Sequence, residues 1–166
     1  MTVIIAILSV YLLNIALATS MAMSEARAHN VEATFRNIVD WCVHRSINPP
    51  QKLPEAKVDK HALYTMTRGC FWIVAFLFIY TVSDYPNKFI FASFNCLAML
   101  LTFRAMHGFV YYHYYHKLDK NTYPDGWQTD GQGKTSDTDA LIGDSFMSRV
   151  YLFLGGLLIV LFQLFL

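Results

Sequence analysis

Four long apolar stretches constrain this chain more than any other feature. A helix of about 20 residues, rising about 1.5 Å per residue, matches the roughly 30 Å of hydrocarbon in a bilayer. The stretches are residues 3–23, 62–82, 89–112 and 149–166. The first is interrupted only by Ser9, Asn14, Thr19 and Ser20, and the last carries Gln163 as its interior polar side chain. The second is strongest from Cys70 to Val82 and needs the weaker segment before Gly69 to reach full length. The expected architecture is therefore all-α: an integral membrane four-helix bundle, a single membrane domain over residues 1–166 with polar loops at 24–61 and 113–148.

Small residues Ala18, Ser20 and Ala22 after the first apolar run are what a secretory cleavage region would show. No Lys or Arg precedes the run, however, and it exceeds the usual length of a signal-peptide core, so a retained span is expected.

Charge placement orients the spans. Arg27, Arg36, Arg45, Lys52, Lys57, Lys60 and Arg68 lie between or at the edge of spans one and two, and Lys117, Lys120 and Lys134 lie between three and four. The short connection at 83–88 holds Lys88 alone. The positive-inside rule places both long loops on the cytoplasmic or matrix-like side and both termini on the non-cytoplasmic side. Overall, 13 Lys+Arg against 12 Asp+Glu give no basic field that would draw in nucleic acid.

The apolar spacing of Val31, Phe35, Val39 and Val43 among polar residues carries the first helix past the bilayer surface. Pro49-Pro50 ends it, and residues 48–58, with Pro54, read as an extended linker. The turn Asp84-Tyr85-Pro86-Asn87 makes spans two and three an antiparallel hairpin. Residues 119–144 turn to Gly, Asp, Thr, Ser and Gln without apolar periodicity, which reads as a surface loop contributing little to bundle stability. Its spacing of Asp119, Asn121, Asp125 and Asp130 lacks the Gly and Glu that shape a calcium loop, so no metal is expected there. Three cysteines without a CxxC pair make no disulfide framework.

Polar groups at membrane depth carry the chemical signal. Arg104, His107 and Tyr111 stand at i, i+3 and i+7, on one helical face. That stripe fits either an anionic ligand held near the cytoplasmic end or an interfacial belt, continued by Tyr112, Tyr114 and Tyr115. His107, His113 and His116 do not share a face and read as interfacial histidines rather than metal ligands. Arg149 opens the fourth span, as a ligand contact or as a charge anchoring the helix at the interface.

Several segments resemble the MAPEG family, the membrane-associated proteins of eicosanoid and glutathione metabolism. Phe71-Trp72-Ile73-Val74-Ala75-Phe76, the Pro86-Asn87 turn and Arg104-Ala105-Met106-His107 with Tyr111 look like that family's second span, tight turn and Arg-x-x-His-x-x-x-Tyr motif. Glu25-Ala26-Arg27-Ala28 and Asn30-Val31-Glu32-Ala33 look like the region after its first span. The resemblance implies a four-span fold, a homotrimer, glutathione as cofactor, Arg104, His107 and Tyr111 as glutathione-binding residues, and Arg149 as the catalytic, thiolate-stabilising arginine. The family's Asn-x-x-Glu at the start of span two has no counterpart in His61-Ala62-Leu63-Tyr64-Thr65-Met66-Thr67-Arg68. Val150 and Phe153 stand where it has Ser and Tyr.

Two functions follow. One is an accessory, non-catalytic subunit, its partners the bilayer and other membrane protein subunits, in an intracellular membrane such as the endoplasmic reticulum or the mitochondrial inner membrane. The other is a glutathione-dependent transferase, peroxidase or isomerase acting on lipophilic substrates. The missing span-two ligands favour the subunit.

Overall fold

The computed structural model describes residues 2–45, 60–118, 120, 126–128 and 145–165. The described residues are helical apart from short turns: α1 (Thr2–His44), α2 (Lys60–Val82), α3 (Lys88–Leu118) and α4 (Phe146–Phe165), with one 3-10 turn at Gly126–Gln128. All four α-helices are long and apolar enough to cross a membrane, over Val3–Asn30, Leu63–Val82, Lys88–Leu118 and Phe146–Phe165. The linker expected at 48–58 and the acidic spacing at 119, 121, 125 and 130 lie outside the described residues.

The 43 residues of α1 extend about 65 Å, roughly twice the hydrocarbon thickness, so the helix continues well past its apolar part as its spacing predicts. Within the polar segment expected at 24–61, residues 24–44 are therefore helix. Local chemistry sets the other ends. Ile79 accepts from the Ser83 amide at 3.0 Å, and Ser83 Oγ then accepts from the Tyr85 amide at 3.2 Å, turning the chain into Pro86, which has no amide to continue a ladder. Asn87 caps α3, its side-chain oxygen accepting from the Ile90 amide at 3.3 Å.

Two helix boundaries differ from the apolar pattern. The fourth helix begins at Phe146, ahead of Arg149, because Ser145 caps it: Ser145 Oγ accepts from the Ser148 amide at 3.1 Å. The third continues to Leu118, beyond the expected end at 112, because Tyr112 and Tyr115 are buried against the bundle and hold the extra turns.

The third helix is the centre, packing against α1, α2, α4 and the 3-10 turn, while α1 and α2 also touch each other. The core runs through Ile7, Val10, Ile79, Met99 and Val160, with Ala92 and Ala98 letting the backbones approach. Polar side chains buried in it are bonded across helices. Asn14 of α1 donates to the Met99 carbonyl at 2.9 Å and to Thr102 Oγ1 at 3.2 Å, and accepts from Trp72 Nε1 of α2 at 3.1 Å. Gln163 of α4 donates to the Phe91 carbonyl at 2.7 Å and accepts from Asn95 at 3.4 Å.

Part of the expected surface loop is docked. Gly126 has φ 58°, a left-handed conformation that suits glycine, and sets Trp127 against α3. There the indole stacks on His113, centroids 4.2 Å apart, and meets Phe109 at 6.3 Å. One large aromatic in a polar stretch suffices for docking, because its buried face outweighs the polarity of its neighbours. Trp127→Ala should lower the melting temperature of the detergent-solubilised chain by about 2–4 °C, corresponding to about 1 kcal/mol. An unchanged melting curve would show that the stack adds nothing to stability.

Candidate functional site

The polar stripe of α3 meets α1 toward the end of the bundle where α1 and α3 finish and α2 and α4 begin. Here α1 and α3 run in the same direction, so a pair one turn apart on one helix faces a pair one turn apart on the other. Glu25 and His29 are such a pair on α1; His107 and Tyr111 match it on α3. His107 Nε2 lies 2.9 Å from Glu25 Oε2, and His29 Nδ1 and the Tyr111 hydroxyl share a hydrogen bond of 2.6 Å. A further contact joins the same helices, Arg27 Nε donating to the Tyr114 hydroxyl at 2.9 Å, with the guanidinium 5.3 Å from that ring.

Rings continue the stripe along α3. Phe103 and His107 are stacked at 5.8 Å with 19° between planes, and His107 and Tyr111 at 6.2 Å with 8°. Arg68 of α2 closes the lower end, its guanidinium 5.3 Å from the Phe103 centroid and 5.4 Å from that of Trp72. Glu25 and Arg104 are both within electrostatic reach of Arg68. Beside them Ser24 Oγ and the Tyr64 hydroxyl share a hydrogen bond of 2.7 Å, joining α1 to α2.

Arg149 occupies another side of α3. Its side chain is 0% exposed, its guanidinium 4.7 Å from the Tyr112 centroid and 5.5 Å from that of Phe109. Its Nη2 donates to the Trp127 carbonyl at 3.5 Å. Arg149, read from sequence as a ligand contact or an interfacial anchor, is enclosed by the docked 3-10 turn and two aromatic rings. Within one chain the structure gathers His107 and Tyr111 with Arg104 nearby, and leaves Arg149 apart from them.

Glu25 and His29 are neighbours of the stripe that the sequence did not pair with it. The signal was there in the matching i, i+4 spacings, Glu25 to His29 and His107 to Tyr111, but nothing in one strand of sequence pairs two helices. Arg68 was visible as a basic residue near the second span and not as part of a cluster. The histidines divide as their spacing requires, His113 on the Trp127 side and His107 on the α1 side. Among the described residues no group of three His, Cys, Asp or Glu side chains converges as a metal site would require. Compared with protein-family models, with curated proteins and with solved structures, the chain matches none.

Proposed function

We propose that this chain is a four-span protein of an intracellular membrane, with both termini on the non-cytoplasmic side, that serves as an accessory, non-catalytic subunit of a larger membrane assembly. The observation that carries this reading is the use made of the α3 stripe. His107 Nε2 and the Tyr111 hydroxyl meet Glu25 and His29 of the same chain, so the ladder works as a clamp between helices. Such pairing offsets the cost of polar groups at membrane depth without any ligand. The outer side of α2 leaves Met66, Ile73, Val74 and Leu77 exposed, a surface for lipid or for neighbouring subunits.

Purification of the tagged full chain in mild detergent tests this. The expected result is an assembly several times the chain's 19.1 kDa, with other membrane polypeptides in fixed proportion, and no rise in melting temperature with millimolar glutathione. A homotrimer stabilised by glutathione, with the stabilisation lost in Arg149→Ala, would overturn it.

That outcome would establish the second reading, a MAPEG-like glutathione enzyme. The position of Arg149 bears on it. Arg149 lies over Tyr112, on another side of α3 from His107, so a glutathione site using all four would have to reach around α3 or draw one set from a second copy. Orientation is checked separately. Tags on both termini of the chain in sealed vesicles should be protected or exposed together, and accessibility of one alone would mean an odd number of spans.

A further inference from the structure

Two helices of the bundle measure the thickness of the layer it crosses. The 20 residues of α4, Phe146–Phe165, rise about 30 Å, the thickness of bilayer hydrocarbon. Its first ring, Phe146, meets Phe109 of α3 with centroids 5.9 Å apart. From Lys88, where α3 begins, to Phe109 the rise is about 32 Å. Both helices therefore put one edge of the hydrocarbon at the level of Phe109 and Phe146.

The 3-10 turn stands at that edge. Trp127 meets Phe109 at 6.3 Å and stacks on His113 at 4.2 Å. His113 is one turn beyond Phe109, about 6 Å further from the hydrocarbon. The headgroup layer is about 5–8 Å deep on each side, since a whole bilayer measures roughly 40–45 Å against roughly 30 Å of hydrocarbon. One more turn out along α3, Lys117 is exposed. Apolar rings, then an indole, then an exposed ammonium group is the order from hydrocarbon to water.

The indole is arranged for such a layer. One face lies on His113, while 43% of the residue stays exposed. Its ring N–H makes no hydrogen bond among the described residues. An apolar body with a single donor at its edge is favoured where hydrocarbon gives way to polar groups, because either phase alone suits only half of it. The turn is also held at this level from two sides: Gly126, at φ 58°, sets the ring against α3, and the Trp127 carbonyl accepts from Arg149 of α4 at 3.5 Å.

We propose that the turn is an interfacial anchor, with Trp127 lying in the headgroup layer of a phospholipid bilayer and its ring N–H donating to ester or phosphate oxygens. This rests on the membrane-spanning part of the reading above and holds for a subunit or an enzyme alike.

Fluorine NMR of the full chain in phosphatidylcholine vesicles, with 5-fluorotryptophan in place of tryptophan, tests it. Trp41, Trp72 and Trp127 give three resonances, and Trp127→Phe identifies the third by removing it. Should that variant lose its helical circular dichroism, Trp41→Phe and Trp72→Phe identify the same resonance by elimination. A nitroxide is then placed in turn on the lipid headgroup, at the end of the acyl chain and on a water-soluble carrier. The Trp127 resonance should broaden most with the headgroup probe. Greatest broadening by the soluble probe would put the turn in water, and greatest broadening by the chain-end probe would put it in hydrocarbon; either overturns the proposal. A resonance that none of the three broadens would show the ring covered by protein, and would overturn it as well. Extraction of the chain from membranes by alkaline carbonate would instead defeat the membrane reading itself, a distinguishable failure.

Discussion

Gly156→Ala is expected to lower the melting temperature of the solubilised chain by about 4–10 °C, while the neighbouring Gly155→Ala leaves it unchanged or slightly higher. A Cβ at position 156 would stand 2.5 Å from Thr102 Cγ2 and 2.9 Å from the Ala98 carbonyl oxygen, distances that require something to move. The carbonyl belongs to the backbone of α3 and cannot swing aside. Thr102 is held as well, its Oγ1 donating to the Ala98 carbonyl at 2.8 Å and accepting from Asn14 at 3.2 Å. Relief therefore comes from separating α3 and α4, which loosens the dispersion contacts between them. At 155 the added carbon would meet only Leu101 Cδ1 at 3.7 Å, an ordinary contact, and alanine gains helix propensity over glycine. Melting curves of the two variants side by side check the claim, and equal effects would show that the α3–α4 approach is not limiting.

The existence of four helices was legible because a membrane-length apolar run sums small contributions over about 20 residues, and isolated polar residues such as Asn14 and Gln163 do not spoil the sum. The ends were less so. Ser145 starts α4 by a single hydrogen bond, and Tyr112 and Tyr115 prolong α3 through packing on other helices. Neither effect scales with hydropathy. Which helix is central was equally hidden, although the small residues Ala98, Ala105 and Gly108 along α3, all buried, were its sign in retrospect.

The stripe of Arg104, His107 and Tyr111 was legible from helical spacing, since residues on one face need no tertiary information to be grouped. Its partners were not, because Glu25 and His29 lie 82 residues away in both pairs and only the register of α1 against α3 brings them in. Trp127 misled in the opposite direction. Its neighbours have the composition of a solvated loop, and composition averages over the one side chain that docks.

Arg149→Ala is expected to lower the melting temperature by on the order of 10 °C, and Arg149→Met to stay within a few degrees of the wild type. Arg149 is fully buried, between the Phe109 and Tyr112 rings and the Trp127 carbonyl. Truncation to alanine empties that volume, and the cost of a large buried side chain lost to a cavity is about 2–5 kcal/mol. It also frees the Trp127 carbonyl, so the docked 3-10 turn loses an attachment to α4. Charge contributes less than volume here, because two opposing terms nearly cancel. Burying a guanidinium costs several kcal/mol, while each desolvated ring contact returns about 2 kcal/mol and the carbonyl somewhat more. Methionine keeps an unbranched chain of similar reach without the charge, so it loses both terms together and fills most of the space. The measurement is the pair of melting curves, with Trp127 fluorescence following the turn. A methionine variant as damaged as the alanine one would mean that the guanidinium's charge and hydrogen bonds, rather than its volume, hold α4 to α3.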